Sequence, residues 1–191
     1  MKLYIVRHAE TYENVAGISQ GHLNSQLTLR GLQQAQDVSL KLKDAQIDFA
    51  YSSDLDRAVQ TAEEILRFYL QVCLVRVKEL REQAKGVYEG KPKEEISNAV
   101  ERLGLEWYEF RPEGGETLRD TWERVVGWYG ELSAKHKTDS ILLVSHGGPI
   151  ACLLAYLHGE PIQKFRKYLP RENTAVSVIE LDETGALSKR S

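Results

Sequence analysis

Residues 1–14 read MKLYIVRHAETYEN, and the fold turns on how the first eight are taken. Residues 2–6 are apolar and β-branched at Ile5 and Val6, the composition of a buried strand. The strand stops abruptly at Arg7-His8, so a cation and a proton-handling ring arrive together at a sheet edge. In open α/β sheets, ligands sit outside the carboxyl ends of the strands. Taken alone, an Arg-His pair reads more simply as a solvated surface turn, because charged side chains lie outside in any case. Only recurrence along the chain separates the two readings.

The pattern does recur. A polar loop, 12–26, is followed by Thr28, which reads as the N-cap of a helix carrying Leu32, Ala35, Val38 and Leu42 at helical spacing. Residues 49–52 read as a second strand, followed by a helix over about 57–69, and residues 72–77 (VCLVRV) as a third strand. A polar and aromatic stretch covers about 81–115. Thr117 then caps a long helix to about 135, with Leu118, Trp122, Val125 and Tyr129 on one face. SILLVS (140–145) has the unbroken apolar character of a central parallel strand. Residues 150–157 read as a helix and 176–181 as a last strand. Strands alternating with helices predict a three-layer α/β/α sandwich with a mostly parallel central sheet. With no repeat, linker or low-complexity tract, the 191 residues are expected to form one domain, 1–191.

Composition narrows the partners. A hydrophobic content of 42%, a charged content of 28% and a net charge of −3 are ordinary for a soluble protein and leave no basic stripe for nucleic acid. No apolar run approaches the roughly 20 residues of a membrane span. Only four apolar residues separate Lys2 from Arg7, so no signal peptide is expected and the location is expected to be cytoplasmic. Cys73 and Cys152 both lie in apolar surroundings, which predicts two buried, reduced thiols. No Cys/His cluster has metal-ligand spacing, so neither metal nor cofactor is expected.

Four predicted strands end in chemistry. Arg7 and His8 follow the first. Arg57 opens the helix after the second, where the helix dipole and a guanidinium fork both favour an anion. Glu82 lies just past the third, in LREQAKGVYEG, and His146 follows the fourth, before two glycines. Each has a plain alternative: a solvated first-turn arginine, one of 28 acids, a capping histidine. Jointly, two histidines, two arginines and a carboxylate can converge on one crevice and handle a phosphoryl group. Guanidiniums and an imidazole donor hold its oxygens, a neutral imidazole attacks phosphorus, and a protonated carboxyl serves the leaving alkoxide and then activates water. On this reading Arg7 binds the phosphate that His8 attacks.

These segments resemble the histidine phosphatase superfamily, the phosphoglycerate mutase-like proteins. RHAETYEN resembles the family's RHGETxxN, and SQGHLNSQLTLRGLQQA its QGxxDxPLTxxGxxQA. SSDLDRAVQTAE, LREQAKGVYEG, PEGGETLRDTWERV, VSHGG and NTAVSVIEL then follow in the family's order. The resemblance implies that His8 is the phosphorylated nucleophile, that Arg7, Arg57 and His146 complete the phosphate pocket, and that Glu82 is the proton donor. It also places Asn14, Gln20, Gly21 and Gly147 near substrate or phosphate. An acid after the middle strand, with Gly-Gly rather than Asp behind His146, resembles branch 1, that of the mutases and small-metabolite phosphatases. Ala9 stands where the family usually has glycine, and Asn24-Ser25-Gln26 where it has Asp-x-Pro.

Residues 83–115 are expected to cap the pocket. Mutases carry a longer, basic insertion there, so the short stretch favours a cofactor-independent phosphatase of a small phosphorylated metabolite. A bisphosphate-activated phosphoglycerate mutase is the alternative among enzymes, and a non-catalytic phospho-ligand binding protein the alternative outside them. The aromatics Tyr88, Trp107, Tyr108 and Phe110 are expected mainly in the core, and His136 and His158 in solvent, while His22 is a candidate for touching substrate. The family's range of assemblies leaves a homodimer open.

Overall fold

The computed structural model describes residues 1–182 and 185–188. Its elements, in order, are β1 (Lys2–Arg7), α1 (Tyr12–Val15), α2 (Leu29–Leu42), β2 (Phe49–Ser53), α3 (Asp56–Ile65), β3 (Leu74–Val77), α4 (Lys93–Leu103), α5 (Leu118–Lys135), β4 (Ser140–Ser145), α6 (Gly147–Leu157) and β5 (Val176–Glu180). The strands form one sheet in the order β3-β2-β4-β1-β5. All neighbours are parallel except β1 and β5, which run antiparallel.

Strand alternation builds the layers. In β1, Leu3 and Ile5 face one side and Tyr4 and Val6 the other, and β4 divides likewise into Ile141 and Leu143 against Leu142 and Val144. The first set packs on Val125, Tyr129 and Leu132 of α5 and on Ile150, Leu153 and Leu157 of α6. The second packs on Val38 and Leu42 of α2 and on Ala58, Ala62 and Ile65 of α3. The result is a three-layer α/β/α sandwich of the expected class, with β4 buried along its whole length.

Register aligns the strand ends. Arg7 pairs with Ser145 across β1 and β4, and Ser52 with Val144 across β2 and β4. The chain therefore leaves all three strands at one level, and His8, α3 and His146 share one edge of the sheet.

Several expectations shift. Residues 12–15 of the supposed loop form a one-turn helix closed by a capping box between Thr11 and Asn14. The stretch 81–115 contains α4, whose Ile96, Ala99 and Val100 pack with Phe110, while Gly104 ends it in the left-handed conformation at φ 63°. Backbone bonds from Ser19 N to Lys91 O (2.8 Å) and from Lys93 N to Gly17 O (2.9 Å) fasten this stretch to the loop after β1. Cys73 is exposed, not buried: it lies at the entrance to β3, the edge strand, where only one side is covered. His136 is buried rather than solvated, its ring held between Tyr51 Oη (2.9 Å) and the Asp139 carboxylate (2.8 Å).

Candidate active site

β1 delivers His8 to the sheet edge, where its backbone N–H bonds Ser145 O at 2.9 Å. The ring is 3% exposed, and its Nδ1 lies 2.8 Å from the Ala9 carbonyl. A carbonyl only accepts, so Nδ1 carries the proton and Nε2 keeps a free lone pair. Burial first, then the Arg57 and Arg7 charges, hold the His8 pKa well below the ordinary histidine value. The ring is therefore neutral at pH 7. Ala9 takes the family's glycine position without strain, because Thr174 is the one non-glycine among the described residues with positive φ. Its N–H is held by Thr61 Oγ1 at 3.0 Å.

Arg57, in the first turn of α3, is 1% exposed. Its Nη1 and Nη2 donate to Leu23 O and Gly21 O, both at 2.8 Å, and its Nε donates to His146 Nδ1 at 3.2 Å. Burial lowers its pKa to about 10, which leaves it charged at neutral pH. Arg7 donates from Nη1 to Pro170 O at 3.1 Å, and its buried Nε has no protein partner. Its pKa is also lowered by burial, against an opposing pull from the Glu82 charge.

His146 was expected as a donor lining the pocket, and the structure gives its ring other partners. Nδ1 accepts from Arg57, so Nε2 carries the proton and donates to Ser53 Oγ at 2.8 Å. The ring centroid lies 5.1 Å from that of His8. Burial, then Arg57 and His8, push its pKa well down. In this arrangement His146 orients Arg57 from behind.

Glu82 reaches the same crevice from the segment after β3. Its Oε1 accepts from Gln83 N (2.9 Å) and its Oε2 from Gly148 N (3.4 Å). Its carbonyl is gripped from two sides, by His22 Nε2 (2.8 Å) and Arg124 Nη2 (3.0 Å), so the His22 ring supports Glu82. The glycine pair at the start of α6 now divides in role. A Cβ on Gly148 would lie 2.5 Å from Glu82 Oε1, whereas one on Gly147 would meet nothing closer than 3.9 Å.

A cavity of about 280 Å³ is bounded by Arg7, His8, Asn14, Gln20, Gly21, Arg57 and Glu82. Asn14 Oδ1 accepts from Thr11 N and Asn173 Nδ2, and the buried Gln20 Oε1 has no partner. Gly147 lies on an adjoining cavity, and His146 stands behind Arg57. Lys85, Lys93, Ser97 and Trp107 also line the smaller cavity, although the sequence reading gave them no site role. They come from the stretch that folds over the crevice, where no strand end marked them. Asn173 was missed as well. Its Nδ2 bonds His8 O at 2.9 Å, and its only signal was its place just before the last strand.

The crevice thus gathers four cationic side chains, a buried neutral imidazole with a free nitrogen and one carboxylate. Among the described residues, no three His, Cys, Asp or Glu side chains come together as a metal site. A positive, largely buried pocket of this kind suits a compact anion.

Known proteins share this sequence pattern and fold. The chain is 30% identical over 187 residues to phosphoserine phosphatase 1 of Hydrogenobacter thermophilus, covering 96% of this chain and 88% of that one. It is 33% identical to the 2,3-bisphosphoglycerate-dependent phosphoglycerate mutase of Bartonella bacilliformis, with 82% and 81% covered. The crystal structure of the alpha-ribazole phosphatase from Shigella flexneri superposes with a TM-score of 0.87 at 27% identity over 100% of both chains. The family of branch 1 histidine phosphatases matches residues 3–190. With this fold and these relatives, the chain belongs to branch 1 of the histidine phosphatase superfamily.

Proposed function

We propose that the protein is a phosphatase that hydrolyses a small-metabolite phosphate monoester through a phosphohistidine on His8, without a metal. The observation that carries this reading is the His8 tautomer. Its Nδ1–H is committed to the Ala9 carbonyl, which leaves Nε2 as the nucleophile, and the burial that keeps the ring neutral keeps that lone pair available.

The phosphate sits in the smaller cavity with its oxygens on Arg7, Arg57 and Lys93 and on the Asn14 amide. Nε2 attacks phosphorus in line with the ester oxygen. Glu82 takes a proton as the ester monoanion docks and gives it to the departing alkoxide. The resulting carboxylate then takes a proton from the water that attacks the phosphohistidine, which releases phosphate and restores both groups. Arginine charge supplies what a metal supplies elsewhere, and removing one such preorganised donor is expected to cost about 3 kcal/mol of transition-state binding. His146 keeps the Arg57 fork aimed, and residues 83–115 cap the site.

The test is phosphate release from a panel of monoesters in EDTA, with His8→Ala as control and an alkaline detergent quench to trap an acid-labile, alkali-stable phosphoenzyme. Release that survives EDTA and vanishes with His8 supports the reading; release that needs a divalent ion, or that persists in His8→Ala, overturns it. Identity to a bisphosphoglycerate-dependent mutase makes that activity the second reading. It predicts phosphate transfer from 2,3-bisphosphoglycerate through the enzyme to a monophosphoglycerate rather than to water.

A further inference from the structure

Beside the phosphate-sized cavity lies a larger one, of about 530 Å³, and the two are joined: Glu82, Lys85, Ser97 and Trp107 line both. With phosphorus at His8 and the ester oxygen at Glu82, the carbon skeleton of the substrate leads into the larger space. Its size is that of pockets that enclose whole drug-sized ligands. A three-carbon skeleton would leave most of it to water.

The apolar part of its wall comes from three parts of the chain. Val100 projects from α4, Leu118 from the start of α5, and Phe165 and Leu169 from the stretch after α6. Trp107 closes the junction, packed against both the cluster of α4 and that of α6. Charge on the rim is balanced. Glu101 and Arg166 stand there with opposite signs, and neither has an ion-pair partner among the described residues. The Lys85 ammonium donates to Gln83 Oε1 at 2.6 Å and lies 5.1 Å from the centre of the Trp107 ring. With Glu82 and Glu101 set against Lys85 and Arg166, the lining of the larger cavity carries no net positive charge to hold a second phosphate dianion.

Resting on the phosphatase reading, we propose that the alcohol half of the substrate is bulky and ring-bearing, is buried against Val100, Leu118, Phe165 and Leu169, and bears no second phosphate. The small glycerate and serine esters that some relatives' names point to are then poor substrates of this chain.

The experiment compares esters of primary alcohols, so that proton donation to the leaving group stays similar. These are 3-phenylpropyl and 2-cyclohexylethyl phosphates against sn-glycerol 3-phosphate, O-phosphoserine and 2,3-bisphosphoglycerate. The expected result is a kcat/KM at least about tenfold higher for the ring esters. Val100→Trp fills the cavity, and Leu169→Asn, at a 39% exposed position where the fold tolerates change, removes apolar wall. Both are expected to move the ratio of ring to small ester toward one. The same esters are titrated calorimetrically into His8→Ala, where no turnover occurs. Tighter binding of the ring esters there supports the assignment even if no ester is hydrolysed, the outcome that would sink the phosphatase reading instead. Equal binding of ring and small esters, or tightest binding of 2,3-bisphosphoglycerate, overturns it.

Discussion

At the scale of single residues, the site depends on close approaches that tolerate little change. Gly148 is the case that bears on Glu82, because an added Cβ would meet its carboxylate at 2.5 Å while one on Gly147 would stand at ordinary contact distance. Gly148→Ala is therefore expected to displace Glu82, the proposed proton donor. Turnover of alkyl phosphates should fall at least about tenfold, with a much smaller loss for p-nitrophenyl phosphate, whose leaving group needs no proton. Gly147→Ala should change either rate little. Equal losses on both esters in Gly148→Ala would mean that Glu82 does not act on the leaving group. The two buried histidines carry a prediction about acid. His8 and His146 are held neutral in the fold, with pKa values well below the ordinary one. In the unfolded chain each takes a proton near pH 6.5. Below that pH the unfolded state binds more protons, so stability falls by up to about 1.4 kcal/mol per pH unit for each ring, and it is fully retained above. Urea unfolding at pH 7 and 5.5 should show a shallower decline in His8→Asn than in the wild type. Parallel declines would place the wild-type ring in its charged form. Residue types at strand ends, taken jointly, point to His8, Arg57 and Glu82 as neighbours, and the fold sets all three on one cavity. That both ring nitrogens of His146 are already partnered, and which of the two glycines is sterically required, depends on through-space contacts from segments more than 60 residues away, so no local pattern could state them.

At the scale of elements, most of the fold could be read from the chain because period and caps agree. Thr28 and Thr117 cap α2 and α5 as their positions suggest, accepting from Gly31 N at 2.8 Å and Asp120 N at 3.0 Å. The unbroken apolar run of β4 marks the centre of the sheet. α4 was overlooked although its signals are present: Glu94 and Glu95 in the first turn, Arg102 in the last and Gly104 behind. Its apolar face is short and packs on a small satellite cluster rather than on the sheet, so periodicity there is weak. Cys73 misled for a related reason, since apolar neighbours do not bury a residue at the entrance to an edge strand. Gly104 gives α4 its own test. Its φ is 63°, and a Cβ there would meet nothing within 4 Å, so alanine would be penalised by backbone conformation alone. Gly104→Ala is expected to lower stability by about 1–2 kcal/mol, measured by denaturant unfolding. No loss would mean that α4 ends differently.

At the scale of the whole molecule, the parallel register brings one end of three strands to a common level, and the loops there gather positive charge that folding alone does not neutralise. Arg57 bonds two carbonyls and an imidazole, none of them anionic, and Arg7 keeps a buried N–H without a partner. Burial depresses both guanidiniums, so the fold carries an electrostatic penalty that an anion in the crevice would relieve. Because such an anion binds the folded state and not the unfolded one, it must stabilise the protein by mass action, by about 2.7 kcal/mol at a hundredfold excess over its dissociation constant. Inorganic phosphate, and vanadate more strongly, should therefore raise the unfolding midpoint in a saturable way, while chloride at matched ionic strength does not. Arg57→Ala should abolish that rise whatever it does to the starting stability, because it removes the buried charge at the centre of the site. A rise of equal size in Arg57→Ala would place the anion elsewhere on the molecule. No rise in the wild type would mean that the convergence of strand ends, although it builds the cavity, does not build an anion site.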